Sequence, residues 1–163
     1  MLWEKDGSAH DLGNLGGTVN TAVLTTGNIA WSIDNRGRVV GVSALPGNTT
    51  IHAFLWTRET GMQDLGTLPG DANSAGLSIN DGGEVVGASL GAAGPIIGPV
   101  RAFLWRNGVM TDLNTLIPAD SPLYLLTAFA INNAGEIAGF GVTSGGDIHG
   151  FLATPIVSSG DVE

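Results

Sequence analysis

Residues 78–89 read SINDGGEVVGAS, and the same pattern stands at 32–43 as SIDNRGRVVGVS and at 130–141 as AINNAGEIAGFG. Each copy runs from an apolar residue (Ile33, Ile79 or Ile131) through a polar turn into a second apolar pair (Val39-Val40, Val85-Val86 or Ile137-Ala138). Asn, Asp and Gly tolerate the positive φ angles of tight hairpin turns, so the block predicts a β-hairpin three times over. A glycine follows inside each returning strand, at Gly41, Gly87 and Gly139. Glycine weakens a strand interior, so a bulge or a close backbone approach is expected at each.

Two further blocks recur around the hairpin. Ala53-Phe54-Leu55-Trp56 returns 49 residues later as Ala102-Phe103-Leu104-Trp105, and in weakened form as Gly150-Phe151-Leu152-Ala153. Leu2-Trp3 matches the tail of the same block. Such aromatic-rich runs suit a buried strand. After it come Asp11-Leu12-Gly13, Asp64-Leu65-Gly66 and Asp112-Leu113-Asn114, the last two preceded by Met62 and Met110. These predict a second short strand. Each repeat of some 50 residues thus holds about four strands, the pattern of a propeller blade.

The fold class expected is all-β, a β-propeller-type repeat of four-stranded blades in one domain over 1–156. The repeat units fall at about 2–51, 52–100 and 101–156, and a polar tail at 157–163 is expected to fray. Three blades are too few for a closed propeller. The chain opens and closes within a unit, so a homodimer forming a six-bladed ring with composite blades is the preferred arrangement. A β-trefoil, with three repeats of four strands, is the alternative. The longest link between a hairpin and the next aromatic strand spans 91–100, and such insertions map to loops on a face, often the one that binds.

Composition agrees. The 163 residues include 26 glycines, and 43% are hydrophobic against 13% charged. So many backbone breaks argue against long helices, and a mean hydropathy of +0.25 leaves ample apolar surface to bury. The net charge of −9 repels phosphate backbones and anionic lipid, which disfavours nucleic acid and favours neutral or cationic ligands. With no cysteine, disulfides and thiolate metal sites are excluded. No apolar run reaches the ~20 residues of a membrane span. The opening MLWEKDGSAHD has neither the basic start nor the apolar stretch of a signal peptide, so the expectation is an intracellular chain or an export signal outside it.

His52-Ala53-Phe54-Leu55-Trp56, followed by MQDLGTLPG at 62–70 and INDGGEVVGAS at 79–89, resembles the HAF-repeat family of bacterial proteins, named for its His-Ala-Phe tripeptide. The resemblance covers about residues 2–155. The sequence departs from it at Arg101, where the tripeptide has His, and at Gly150, where it has Ala. The resemblance implies a repeat architecture and a secreted or periplasmic location. It implies no catalytic site, since the motif is structural and the family has no agreed biochemical function.

Several residues recur with chemistry to offer. Asp34/Asn35, Asn80/Asp81 and Asn132/Asn133 occupy the hairpin turns. Turn formation accounts for them, and calcium held by Asp34, Asp81 and Asn133 is the alternative, since that hard cation takes oxygen donors. Asp11, Asp64 and Asp112 are expected to bond nearby backbone N–H groups. His52, Arg101 and His149 share one place before the aromatic strand. Because that place accepts Arg, it is read as a solvated strand edge. His52 and His149 are the candidates for general-base or metal chemistry, and Arg101 for ligand contact. His10 lies outside this register. Trp31 stands where its counterparts are Leu77 and Phe129, so it is a core residue or a stacking surface for a ligand. No hydrolase elbow, phosphate loop, dinucleotide fingerprint or His-Glu-x-x-His occurs. The function expected is a non-catalytic, extracellular-type β-repeat module binding a partner, glycan or small ligand on its loop face. The alternative is a calcium-dependent hydrolase of a small ester or lactone.

Overall fold

The computed structural model describes residues 1–17, 27–91 and 99–156. Both the tail at 157–163 and most of the 91–100 link lie outside the described residues. What is described is all-β, with a three-residue 3-10 turn at Leu113–Thr115 as its one helical element. Among the described residues no helix is long and apolar enough to cross a membrane.

Two sheets are four-stranded antiparallel meanders in chain order. The first holds β3 (Ile29–Ile33), β4 (Val39–Ala44), β5 (Ile51–Thr57) and β6 (Gly61–Asp64). The second holds β7 (Asn73–Ile79), β8 (Val85–Leu90), β9 (Val100–Arg106) and β10 (Val109–Asp112). A third sheet has three strands, β11 (Leu123–Ile131), β12 (Ile137–Thr143) and β13 (Ile148–Ala153). At the amino end β1 (Leu2–Trp3) and β2 (Ala9–His10) form a two-stranded ribbon. Each full sheet takes its hairpin from one repeat and its aromatic and Asp-Leu strands from the next, so 51/52 and 100/101 fall within sheets. A β-trefoil would close strands of different repeats into one barrel. Here the described strands form separate open sheets, and no closed barrel stands among them, contrary to that alternative.

The hairpin turns behave as their composition demands, with Gly37, Gly83 and Gly135 at φ +76°, +85° and +78°. The strand glycines face a backbone. A Cβ on Gly41 would lie 1.8 Å from the Ile29 carbonyl oxygen, one on Gly87 1.8 Å from that of Ala75, and one on Gly139 2.0 Å from that of Thr127. Bulges stand beside them in the partner strands, between Ala30 and Ser32, Gly76 and Ser78, and Ala128 and Ala130. The extra residue in each bulge is Trp31, Leu77 or Phe129.

Successive sheets pack face to face. β7 lies on β4 and β5 of the first sheet, and β11 on β8 and β9 of the second. The leucines after each Asp-Leu strand reach forward onto the next sheet. Leu12 and Leu15 cover Val39, Phe54 and Trp56, while Leu65 and Leu68 join Val85, Phe103 and Trp105. Leu113 joins Ile131, Ile137 and Phe151. Phe54 and Phe103 are almost wholly buried, each contributing about 1.5–3 kcal/mol by leaving water.

Candidate functional site

The stacking of sheets brings the three hairpin turns side by side. The Asn35 backbone N–H donates to Asp81 Oδ1 at 3.0 Å, and its side-chain amide donates to Asp81 Oδ2 at 2.8 Å. Asp81 N–H donates in turn to Asn133 Oδ1 at 2.9 Å, and Asn133 Nδ2 returns a bond to Asp81 Oδ2 at 2.8 Å. Asn35 and Asn133 bonds together hold the Asp81 carboxyl below its ordinary value, because N–H donors favour the charged form. Asp34 is occupied within its own turn. It accepts from the N–H groups of Arg36 and Arg38 and pairs with the Arg38 guanidinium at 2.6 Å. Arg38 then reaches the carbonyl oxygens of Asn80 and Asp81. Asn80 and Asn132 cap their turns alike, bonding the N–H groups of Glu84 and Glu136. Of the proposed oxygen donors, Asp81 and Asn133 touch, while Asp34 serves its neighbouring guanidinium. Among the described residues no three His, Cys, Asp or Glu side chains gather as a metal-binding group.

The three aspartates after the aromatic strands do as expected. Asp11, Asp64 and Asp112 accept the N–H of Gly13, Gly66 and Asn114 at 3.0, 2.7 and 2.9 Å. His52 and Arg101, read as solvated edge residues, are instead partners of this same aspartate. His52 Nδ1 lies 2.9 Å from both Asp64 oxygens. Burial pushes the Asp64 carboxyl up, but the His52 and Gly66 bonds outweigh it and bring it below the ordinary value. Arg101 pairs with Asp71 at 2.9 Å and Asp112 at 3.4 Å, and donates to the Pro69 carbonyl. The sequence hid these pairs because the partners lie 11, 12 and 30 residues away on other strands or loops. His149 holds the same register on β13 but is exposed, and the described third sheet has no fourth strand to offer it an aspartate. His52 and His149 sit on different sheets and share no bond. Trp31 stands out from its bulge at 46% exposure and Phe129 at 56%, the latter tilted against Phe140 with ring centroids 5.6 Å apart, so the core expectation for this position gives way to display.

One feature stands at the last position of the hairpin block, where the sequence alone assigned it no role. Ser43 and Ser89, fully buried, lie opposite His52 and Arg101 on the second strand of their sheets. Ser43 Oγ accepts the Leu15 N–H at 2.9 Å and Ser89 Oγ the Leu68 N–H at 3.0 Å, pinning each forward-reaching leucine loop. Gly141 fills this register in the third sheet. It has no hydroxyl to give, and a Cβ there would meet the Tyr124 carbonyl oxygen at 2.4 Å. The Leu116 N–H turns back to Leu113 O, and Leu116 is 56% exposed where Leu68 is 2%. Beside it, between the second and third sheets, opens a cleft of about 640 Å³.

Comparison with protein-family models, with curated proteins and with solved structures finds no match to this chain.

Proposed function

We propose that the chain is a non-catalytic, extracellular-type binding module built of propeller-type blades, of the kind the HAF resemblance implies. The observation that carries this is how the recurring polar residues are spent. Asp11, Asp64 and Asp112 close turns, Asp34 and Arg38 lock one turn to the next, and Asp81 ties Asn35 to Asn133. Chemistry-bearing groups thus serve the scaffold, while aromatic and apolar surface at Trp31 and in the inter-sheet cleft is left for a ligand. Such pockets, mostly apolar with few polar groups, are the common form of small-molecule sites. Tryptophan fluorescence across a panel of glycans, small neutral molecules and cations tests the module. No response to any of them would sink it.

Four-stranded meanders stacked face to face support the blade assignment, and we infer closure as a six-bladed homodimer. In that ring β2 of one copy would exchange its own β1 for β13 of the other and bring Asp11 to His149, as Asp64 meets His52. A solution mass twice the 16.6 kDa of one chain is expected. A strictly monomeric protein rules the ring out.

The calcium-dependent hydrolase keeps one observation in its favour. His52 is held through Nδ1 by Asp64, and its Nε2, with no partner among the described residues, is the atom that would transfer a proton. Ester or lactone turnover that dies with chelator and returns with calcium would establish it. Unchanged turnover and melting temperature in chelator would dismiss it.

A further inference from the structure

The inter-sheet cleft has a counterpart in the first interface, and the register says what fills it there. Val39 lies opposite Trp56, and Val85 opposite Trp105. In the third sheet Ile137 lies opposite Ala153. The surrounding positions keep their character: Leu65 becomes Leu113, Ile79 becomes Ile131 and Phe103 becomes Phe151. Trp56 and Trp105 are 8% and 7% exposed, each sealed in its cluster. At Ala153 the indole is missing and Leu116 has swung out, so the walls of a tryptophan site stand without the tryptophan. All of Leu113, Ile131, Ile137, Phe151 and Ala153 line the cleft.

Its electrostatics are neutral. Glu84 and Arg106, the charged residues of the lining, pair with each other at 3.3 Å. The Ser121 hydroxyl donates to the Leu123 carbonyl. No buried side-chain nitrogen or oxygen lacks a partner among the described residues. A charged ligand would find no counter-ion, and a sugar few hydrogen-bond partners. The cleft continues the core cluster of the second interface, so a flat apolar ring entering it would complete that core.

We propose that this cleft binds a neutral, planar aromatic molecule of about indole to naphthalene size, seated where Trp56 and Trp105 lie in the other clusters. The proposal rests on the ligand-binding reading above and names its ligand class. About 640 Å³ is within the range of small-molecule pockets, with space for substituents on the ring.

The test uses the full chain with indole and naphthalene as probes, followed by saturation-transfer NMR and thermal shift. A153W should fill the site, weakening probe binding at least ~10-fold and raising the melting temperature, as filling a cavity does. A153L, a smaller filler, should weaken binding in the same direction and guards against a tryptophan that overpacks. Probe binding that is equal in wild type and both variants would overturn the site. No binding of either aromatic, with a glycan or another ligand bound elsewhere, would overturn this inference and leave the module standing. No binding of any class would remove both. A dimer that A153W dissociates would give the cleft to a second copy of the chain and overturn the small-molecule assignment.

Discussion

The two described interfaces between sheets are built from the same parts and end differently. Between the first and second sheets, Trp105 and Leu68 close the core and Ser89 holds the leucine loop by its backbone. Between the second and third, Ala153 and Gly141 stand in the corresponding registers, Leu116 faces out, and a cleft remains. Loop and strand are still joined, by another means. Asn114, replacing the glycine of the first two motifs, clamps Leu125 with Oδ1 accepting its N–H at 2.7 Å and Nδ2 donating to its carbonyl at 3.0 Å. Attachment and filling are therefore separable in this fold. One interface uses both, while the other keeps the attachment and gives up the filling.

The comparison can be broken most forcefully at Trp105. W105A should convert the first interface into a likeness of the second, costing about 3–5 kcal/mol in urea unfolding, because the cavity closes only in part. If it folds, it should gain an aromatic site of its own, since dry engineered cavities take up such molecules. A loss below about 1 kcal/mol would mean that the indole does not close that core. Next comes S89A, which strands the Leu68 N–H without an acceptor in a buried place and should cost about 1–3 kcal/mol. Unchanged stability with protected Leu68 exchange would show that the hydroxyl is dispensable.

Acid sharpens the comparison further. The lowered Asp64 carboxyl contributes stability that is fully present above the ordinary value of 3.8 and is lost as pH falls through its own lower value. The advantage of wild type over D64N should therefore hold at pH 6 and vanish toward pH 2. Asp64 is 40% exposed, so solvent screening keeps the difference to about 1 kcal/mol or less. A gap that persists at pH 2 would assign the effect to something other than ionisation. Smallest of all, H149A should change the melting curve of a monomer by no more than about 0.5 kcal/mol, since its side chain is exposed and has no aspartate across the sheet. A larger loss, appearing only at concentrations where dimers form, would place a partner strand beside β13.

Hairpins, aromatic strands and bulge glycines were legible because each is a local demand. Positive φ at Gly37, Gly83 and Gly135, and the carbonyl pressed against Gly41, Gly87 and Gly139, leave a mark at a single position. The site was less legible because it is made by differences between copies. Gly150-Phe151-Leu152-Ala153 reads as a weakened motif, and only the register shows that Ala153 takes a tryptophan's place. Arg101 in place of His52 looks like a tolerant surface position until both are found against an aspartate. Trp31 is ambiguous for a similar reason. A bulge adds one residue and turns its side chain out, and no pattern of period two records that turn.

The row of hairpin tips also gives the array a serial order. Asn35 passes its backbone N–H to Asp81, and Asp81 passes its own to Asn133, so each tip donates forward to the next. The carboxylate stands in the middle, where it can accept from an amide on either hand. Exchanging the second unit with either neighbour would set amide against amide on one side and move the lone carboxylate to an end. The units are similar enough to be recognised as copies, yet they are not interchangeable beads. Their sequence along the chain is written into which tip carries the carboxylate.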